Sequence, residues 1–365
     1  MRTHRVASVA VIIVAFLMGL VFGGLEVASA TGSADELGRV SQLAVLGQQL
    51  TDLVQALQAE RDQTAGDLST NAGKLSPLNT NASPFVLTRS LDSAYATTNA
   101  AAARVKSLAA GIGGSFPATI RARVATVVSD ISDLAGLRVE AQASQSALSV
   151  INAYTVPITN MIALEDQMGQ GTSDSILVSD VQTLNSLALA KDEAAQQRAL
   201  LFNAFRVGTF TNDELQALIA ARSGQLIEVT AFSTTATPAQ QSEYDTDVAG
   251  TPTSQLASNI ETYVQGAGLG GLSLAGIRPE QAAAEWYAAQ SGTIDGMQQV
   301  EVDVARIIVA RAQLLQSRAK DFARFTVVLL AVILLLALIA AVSFAFFLRE
   351  NRHRPEATAG FQFDR

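Results

Sequence analysis

Two uncharged apolar runs bracket the chain, and between them apolar residues recur at helical spacing. Residues 6–25 form a run of 20 and residues 325–348 a run of 24. As helices rising 1.5 Å per residue, both can cross a hydrocarbon core of about 30 Å. The first is read as an uncleaved anchor. Ala28-Ser29-Ala30 resembles a cleavage sequence, but the apolar part of a signal peptide usually spans only about 7–15 residues. Arg2 and Arg5 precede the first run, and Arg349, Arg352 and Arg354 follow the second. The positive-inside rule then puts both termini in the cytoplasm. The expected order is a cytoplasmic N-terminus (1–5), a transmembrane helix (6–25), an extracytoplasmic domain (26–324), a transmembrane helix (325–348) and a short cytoplasmic tail (349–365).

Within 26–324 the spacing is three and four, with no sustained alternation, so the expected fold class is all-α. Ser33-Ala34-Asp35-Glu36 reads as a capping box opening a helix to about residue 69. Leu43, Leu46, Leu50, Leu53, Val54, Leu57, Ala65 and Leu68 build its stripe. Ser83-Pro84 starts a second helix that Gly111, Gly113 and Gly114 stop, and a third runs from Pro117 until it falters near Gly136. A fourth, at about 144–169, carries Pro157 and is expected to kink. Gly169 and Gly171 then divide the segment. Helices follow at 174–207 and 212–235, the latter opened by the capping box Thr211-Asn212-Asp213-Glu214. Thr237-Pro238 opens a short helix to about Val248, and another precedes the glycine-rich stretch at 266–276. Pro279 opens a last helix continuous to Leu348, about 70 residues or roughly 105 Å. Met297, Val300, Val304, Ile307 and Leu314 form a stripe on it along which two copies can meet, giving a homodimer.

Composition removes most catalytic chemistry. The chain has no cysteine, and its two histidines, His4 and His353, flank the apolar runs. No disulfide, thiolate zinc site, catalytic thiol or imidazole centre can form between them. No cofactor, metal or enzymatic activity is expected. The flanks hold six of the 25 basic and three of the 33 acidic residues, leaving 19 and 30 in 26–324, a net of −11. So acidic a domain argues against nucleic acid and anionic lipid as partners. Gly266 to Gly271 superficially resembles a phosphate loop, but no strand precedes it, and it reads as a linker. Glu165-Asp166 and Asp192-Glu193 read as solvated faces, and Trp286-Tyr287 as core.

Arg61 is the informative residue, because it stands on the apolar stripe of Leu50, Val54, Leu57 and Ala65. Arg198 stands likewise among Val181, Leu184, Ala188, Phe202 and Phe205. A buried arginine needs an anionic partner. That partner is either a bundle carboxylate such as Glu60 or Glu193, or a bound anion whose planar shape suits the guanidinium fork. Arg61 is expected to line the principal polar pocket of the domain.

Three segments resemble the nitrate- and nitrite-sensing domain: LVQALQAERDQTAGDL at 53–68, with its Glu-Arg-Asp triplet, QQRALLFNAFRVGTFTNDELQAL at 196–218, and WYAAQSGTIDGMQQVE at 286–301. They occur in the order of that family, and the resemblance covers about 40–320. It implies an exported pair of antiparallel four-helix bundles between two transmembrane helices, sensing nitrate or nitrite held between two arginines on different helices. Arg61 matches the first arginine. The family's basic position before Ile-Asp is here Thr293, preceding Ile294-Asp295, and Arg198 is the candidate for the second. Receptors of this kind signal to a histidine kinase. The 17 residues after 348 cannot hold one, so the output is a separate signalling protein, or the chain is a receptor cut short. The alternative function is a structural or adaptor protein of the envelope whose helices bind another protein.

Overall fold

The computed structural model describes residues 2–71, 91–207, 211–266 and 279–352, with the side chains of 2–22, 67–71, 263, 265–266, 279–281, 347–348 and 350–352 outside that description. Its elements are α1 (Arg2–Asn71), α2 (Leu91–Ala109), α3 (Ala118–Ser132), α4 (Leu134–Ala143), α5 (Ala147–Glu165), a 3-10 turn (Asp166–Gly169), α6 (Ser175–Val207), α7 (Asn212–Thr235), α8 (Pro238–Tyr244), a π turn (Asp245–Ala249), α9 (Pro252–Gly266) and α10 (Pro279–Arg352). The described residues contain no strand, as the three-four spacing predicts. The helix start at Ser83-Pro84, Leu68 and the glycine-rich stretch beyond Gly266 lie outside the described side chains or residues.

Local chemistry explains most boundaries. Thr211 and Glu214 form a reciprocal capping box at α7, and Thr237 and Gln240 form one at α8. Both satisfy amides that the first helical turn leaves without partners. Asp174 caps α6 by accepting the Leu177 amide at 2.8 Å. Ahead of it Gly171 has φ of 90°, a conformation that side chains other than glycine resist.

Two expected boundaries are overturned. Ser33 is not a cap: its hydroxyl bonds back to the Ser29 carbonyl at 3.0 Å, and α1 runs through unbroken. A capping box needs its serine outside the helix, and the helix-compatible sequence before Ser33 offers no break. The third helix yields at Asp133 rather than Gly136, and α4 restarts directly after it.

The chain divides into two compact units, residues 1–37 with 314–365, and residues 38–313. In the first, α10 carries a long apolar stretch whose side chains lie open, among them Phe325, Val328, Leu336 and Phe346. A Cβ placed on Gly23 would fall 2.3 Å from Leu330 Cδ1, so the two apolar runs approach closely there. In the second unit, Leu43, Leu46, Leu50, Leu53, Val54, Leu57 and Ala65 are all buried, as are Val181, Leu184, Ala188, Phe202 and Phe205. α5 is also long and apolar enough to cross a membrane. Tyr154, Ile158, Met161 and Ile162 bury its face within the protein, however, which makes it a core helix.

Met297, Val300 and Val304 are fully buried within their own chain, while Ile307 and Leu314 are exposed. The stripe expected to join two copies is therefore spent on the core along its first half. The true inward face continues through Ile308 and Ala312. Of that stripe, Ile307 and Leu314 remain open to a second copy.

Close packing of α10 rests partly on Gly296, where an added Cβ would stand 2.2 Å from the Asp247 carbonyl oxygen. Backbone cannot swing aside as a side-chain tip does, so Gly296→Ala is expected to destabilise the domain by about 1–3 kcal/mol. Denaturant unfolding followed through Trp286, the single tryptophan, reads this directly. An unchanged midpoint would show that the turn and α10 are not in contact.

Candidate functional site

Between residues 56 and 66 every position of α1 except Ala59 is buried. Successive residues on a helix point about 100° apart, so α1 is enclosed on most of its circumference here. Glu60, Arg61 and Asp62 sit inside this stretch, each at 0% exposure. Three buried ionisable groups in a row must each find a partner in a different direction.

They do. Glu60 accepts from Arg138 Nε at 3.0 Å and Nη2 at 2.8 Å, and from the Tyr154 hydroxyl at 2.8 Å. That ties α1 to α4 and α5. Arg61 Nη1 donates to Asp192 Oδ1 on α6 at 2.9 Å, and its Nε lies 3.4 Å from Asp62 Oδ1. Asp62 Oδ2 accepts from Arg198 Nε at 2.7 Å. The Asp62 carboxylate thus stands between Arg61 and Arg198, one oxygen toward each. The structure brings both sequence-predicted arginines into one cluster.

Their partners differ from those expected. Asp192 and Asp62 hold the arginines, not Glu60 or Glu193. Asp192 and Glu165 are buried, not solvated faces, because their partners come from distant parts of the chain. Asp166 is exposed as expected, and Glu193 is half-buried. Burial and then the neighbouring Asp192 push the Glu193 carboxyl up to about 7. Burial works against the Arg198 charge, but Asp62 and Tyr287 more than offset it and hold its pKa above the usual arginine value.

Arg198 also reaches α10. Its Nη1 donates to Ser291 Oγ at 2.9 Å, its guanidinium lies 5.1 Å from the Tyr287 ring centroid, and its own carbonyl accepts from Trp286 Nε1 at 3.0 Å. Trp286 is fully buried, the core residue the sequence implies. One donor in the cluster stays unused: Arg61 Nη2 is buried and has no hydrogen-bond partner among the described residues.

The structure also holds a cavity away from the two arginines. That cavity, of about 500 Å³, lies among α7, the end of α8, the π turn, α9 and α10, and neither Arg61 nor Arg198 lines it. Thr293 does, with its hydroxyl donated to the Ala289 carbonyl at 3.2 Å. No group of metal-ligating side chains occurs among the described residues.

A second buried charge group lies along the same helices. Lys191 of α6 pairs with Glu301 and bonds Gln298, both on α10. Glu165 at the end of α5 accepts from Thr51 Oγ1 at 3.0 Å. Burial, then the nearby Glu301 charge, raises the Glu165 carboxyl from 4.5 to about 8. Folding therefore keeps a proton that the unfolded chain releases near pH 4.5. The unfolded state binds fewer protons in that window, so this group makes stability fall as pH rises from about 4.5 to about 8 and level off above. Glu165→Gln keeps the Thr51 bond and is expected to flatten that decline. Chemical denaturation at intervals from pH 4.5 to 9 checks it, and an unaltered slope would place the Glu165 proton elsewhere.

Comparison with known proteins gives two matches. The family described as nitrate and nitrite sensing matches residues 52–309, most of the chain. The solved structure of the NasR transcription antiterminator is similar in fold, with a TM-score of 0.65 at 18% identity over 82% of this chain and 81% of that one. Comparison with curated proteins returns no match. The matched region contains the Glu60-Arg61-Asp62 triplet, the Arg198 segment and the part of α10 that Arg198 grips, and the chain belongs to the nitrate and nitrite sensing family.

Proposed function

We propose that this chain is a membrane-anchored sensor of a small planar anion of the nitrate or nitrite kind. On this reading its exported domain is a pair of antiparallel four-helix bundles, both termini of the given sequence are cytoplasmic, and α10 carries the signal across the membrane towards a kinase output. Family membership supports the ligand class, and the apolar runs with their arginine flanks support the topology. The observation that carries the site is Asp62 set between Arg61 and Arg198, with Arg61 Nη2 left unused beside it.

A carboxylate is planar and anionic, so Asp62 holds between the two guanidinium groups the place an oxyanion would take. The ligand-free arrangement has Asp62 as the bridge. In the bound arrangement nitrate accepts from Arg61 Nη2 and Arg198, and Asp62 gives way. A ligand shifts an equilibrium only through different affinity for two arrangements, and this exchange supplies the difference. Because Arg198 also holds Ser291, the exchange is felt on α10.

A second reading, a structural or adaptor protein, draws on one observation. Ile219, Leu226 and Ile227 leave an apolar face of α7 exposed, and such faces dock partners.

For the full chain in lipid nanodiscs, sodium nitrate is expected to raise the melting temperature where equal sodium chloride does not. At 100-fold excess over Kd the stabilisation is about 2.7 kcal/mol. Arg61→Lys keeps a charge for Asp192 but loses Nη2 and should abolish the response. Asp62→Asn removes the competing charge and should strengthen it. No response to nitrate or nitrite, or a weaker one in Asp62→Asn, overturns the reading and favours the adaptor. Protease added outside intact cells should cut within 26–324, and cleavage only from the cytoplasmic side would reverse the topology.

A further inference from the structure

The 500 Å³ cavity has a chemistry of its own, distinct from the arginine cluster. Its volume falls within the range of about 300–1,000 Å³ usual for small-molecule sites. The charged residues that line it are Arg222 of α7 and Glu261 of α9. Arg222 Nη1 lies 3.0 Å from Glu261 Oε2, yet it directs its hydrogen bond to Gln225 Oε1 at 3.1 Å. Glu261 is 5% exposed, and its Oε2 has the Arg222 charge beside it but accepts no aligned hydrogen bond from the described residues. A buried carboxylate oxygen is a strong acceptor, and leaving it unmade is costly.

The two charges are unequally placed. The Glu261 side chain is 6% exposed and that of Arg222 is 30% exposed. The carboxylate therefore stands deep and the guanidinium nearer the mouth. Burial raises the Glu261 pKa, and Arg222 opposes this only in part. A simple anion entering here would meet the Glu261 charge and compete with it for Arg222. A simple cation would satisfy Glu261 but weaken the pair with Arg222. A molecule carrying both charges replaces one internal charge contact with two and supplies the aligned hydrogen bond that Glu261 Oε2 lacks.

We propose that this cavity is a second binding site, for a small zwitterion of the α-amino acid class, its ammonium group on Glu261 and its carboxylate on Arg222. Tyr244 provides an aromatic wall, fixed by packing on Phe232 at 5.1 Å between ring centroids, against which a side chain can lie. The site is also wired to α6. Gln225 accepts from Gln197 at 3.1 Å, and Gln290 donates to the Ala194 carbonyl at 3.1 Å. Both α6 residues lie between Asp192 and Arg198 in sequence, so the cavity and the arginine cluster share one helix.

The test is thermal unfolding and isothermal titration of the full chain in nanodiscs against each of the twenty common free amino acids at millimolar concentration. Acetate and methylammonium serve as single-charge controls. At least one amino acid should bind, with neither control producing a response at the same concentration. Glu261→Gln keeps the shape but loses the charge, and it should weaken that binding at least tenfold. Arg222→Gln, at a more exposed position, should do the same and serves if Glu261→Gln does not fold. Arg61→Lys should leave amino acid binding intact, which separates this site from the nitrate reading. The proposal is overturned if no amino acid binds, if acetate or methylammonium binds equally well, or if the charge-removing variants bind as the parent does.

Discussion

Glu60, Arg61 and Asp62 occupy successive positions of one helix and are all denied water, and the surrounding helices are arranged around that constraint. An unpaired buried charge costs several kcal/mol, more than an ordinary hydrophobic contact returns. Since the three side chains leave α1 in different directions, their partners must come from different helices. Arg138 arrives from α4, Tyr154 from α5, and Asp192 and Arg198 from α6. The apolar stripe of α1 brings these helices close. The triplet fixes which residues face each other, because a helix sliding by one turn would leave a charge unpaired. Breaking such a pair typically costs about 3–5 kcal/mol.

The same helices show why some of the site was legible in sequence and some was not. Arginine on an apolar stripe is a conflict between pattern and residue type, and such conflicts mark special positions. That sufficed for Arg61 and Arg198. Asp192 raised no such conflict, since it lies between Lys191 and Glu193, where a polar face is the ordinary reading. Its burial comes from α1, well over a hundred residues away, and no local pattern encodes that. Asp62 stood in the triplet but gave no sign that it would bridge the two arginines. Ser33 shows the reverse failure: a correct local motif for a helix start lost to a helix already under way. Caps are decided by what precedes them. Where the preceding sequence did break, as at Thr211 and Thr237, the motif and the structure agree.

α6 and α10 meet through polar as well as apolar groups, and this sets how the two helices can move against each other. Trp286 and Gln290 of α10 bond to α6 carbonyls, Ser291 takes a bond from Arg198, and Gln298 and Glu301 take Lys191. Further along, Arg311 grips Asp174 with two bonds, of 2.7 and 2.8 Å, at the residue that caps α6. An apolar interface permits small slides, because dispersion contacts are non-directional and quickly replaced. A ladder of directional charged bonds does not, since each bond loses most of its strength with an error of about an ångström. α6 and α10 are thereby coupled to move together within the domain, or to exchange one set of partners for another. A sensor needs the second behaviour at one rung and the first at the rest. The rung best suited to exchange is Arg198, because its counter-ion, Asp62, is itself shared with Arg61. Its neighbours, Lys191 with Glu301 and Arg311 with Asp174, have no second cation competing for the same carboxylate among the described ion pairs. They hold the register of α6 against α10.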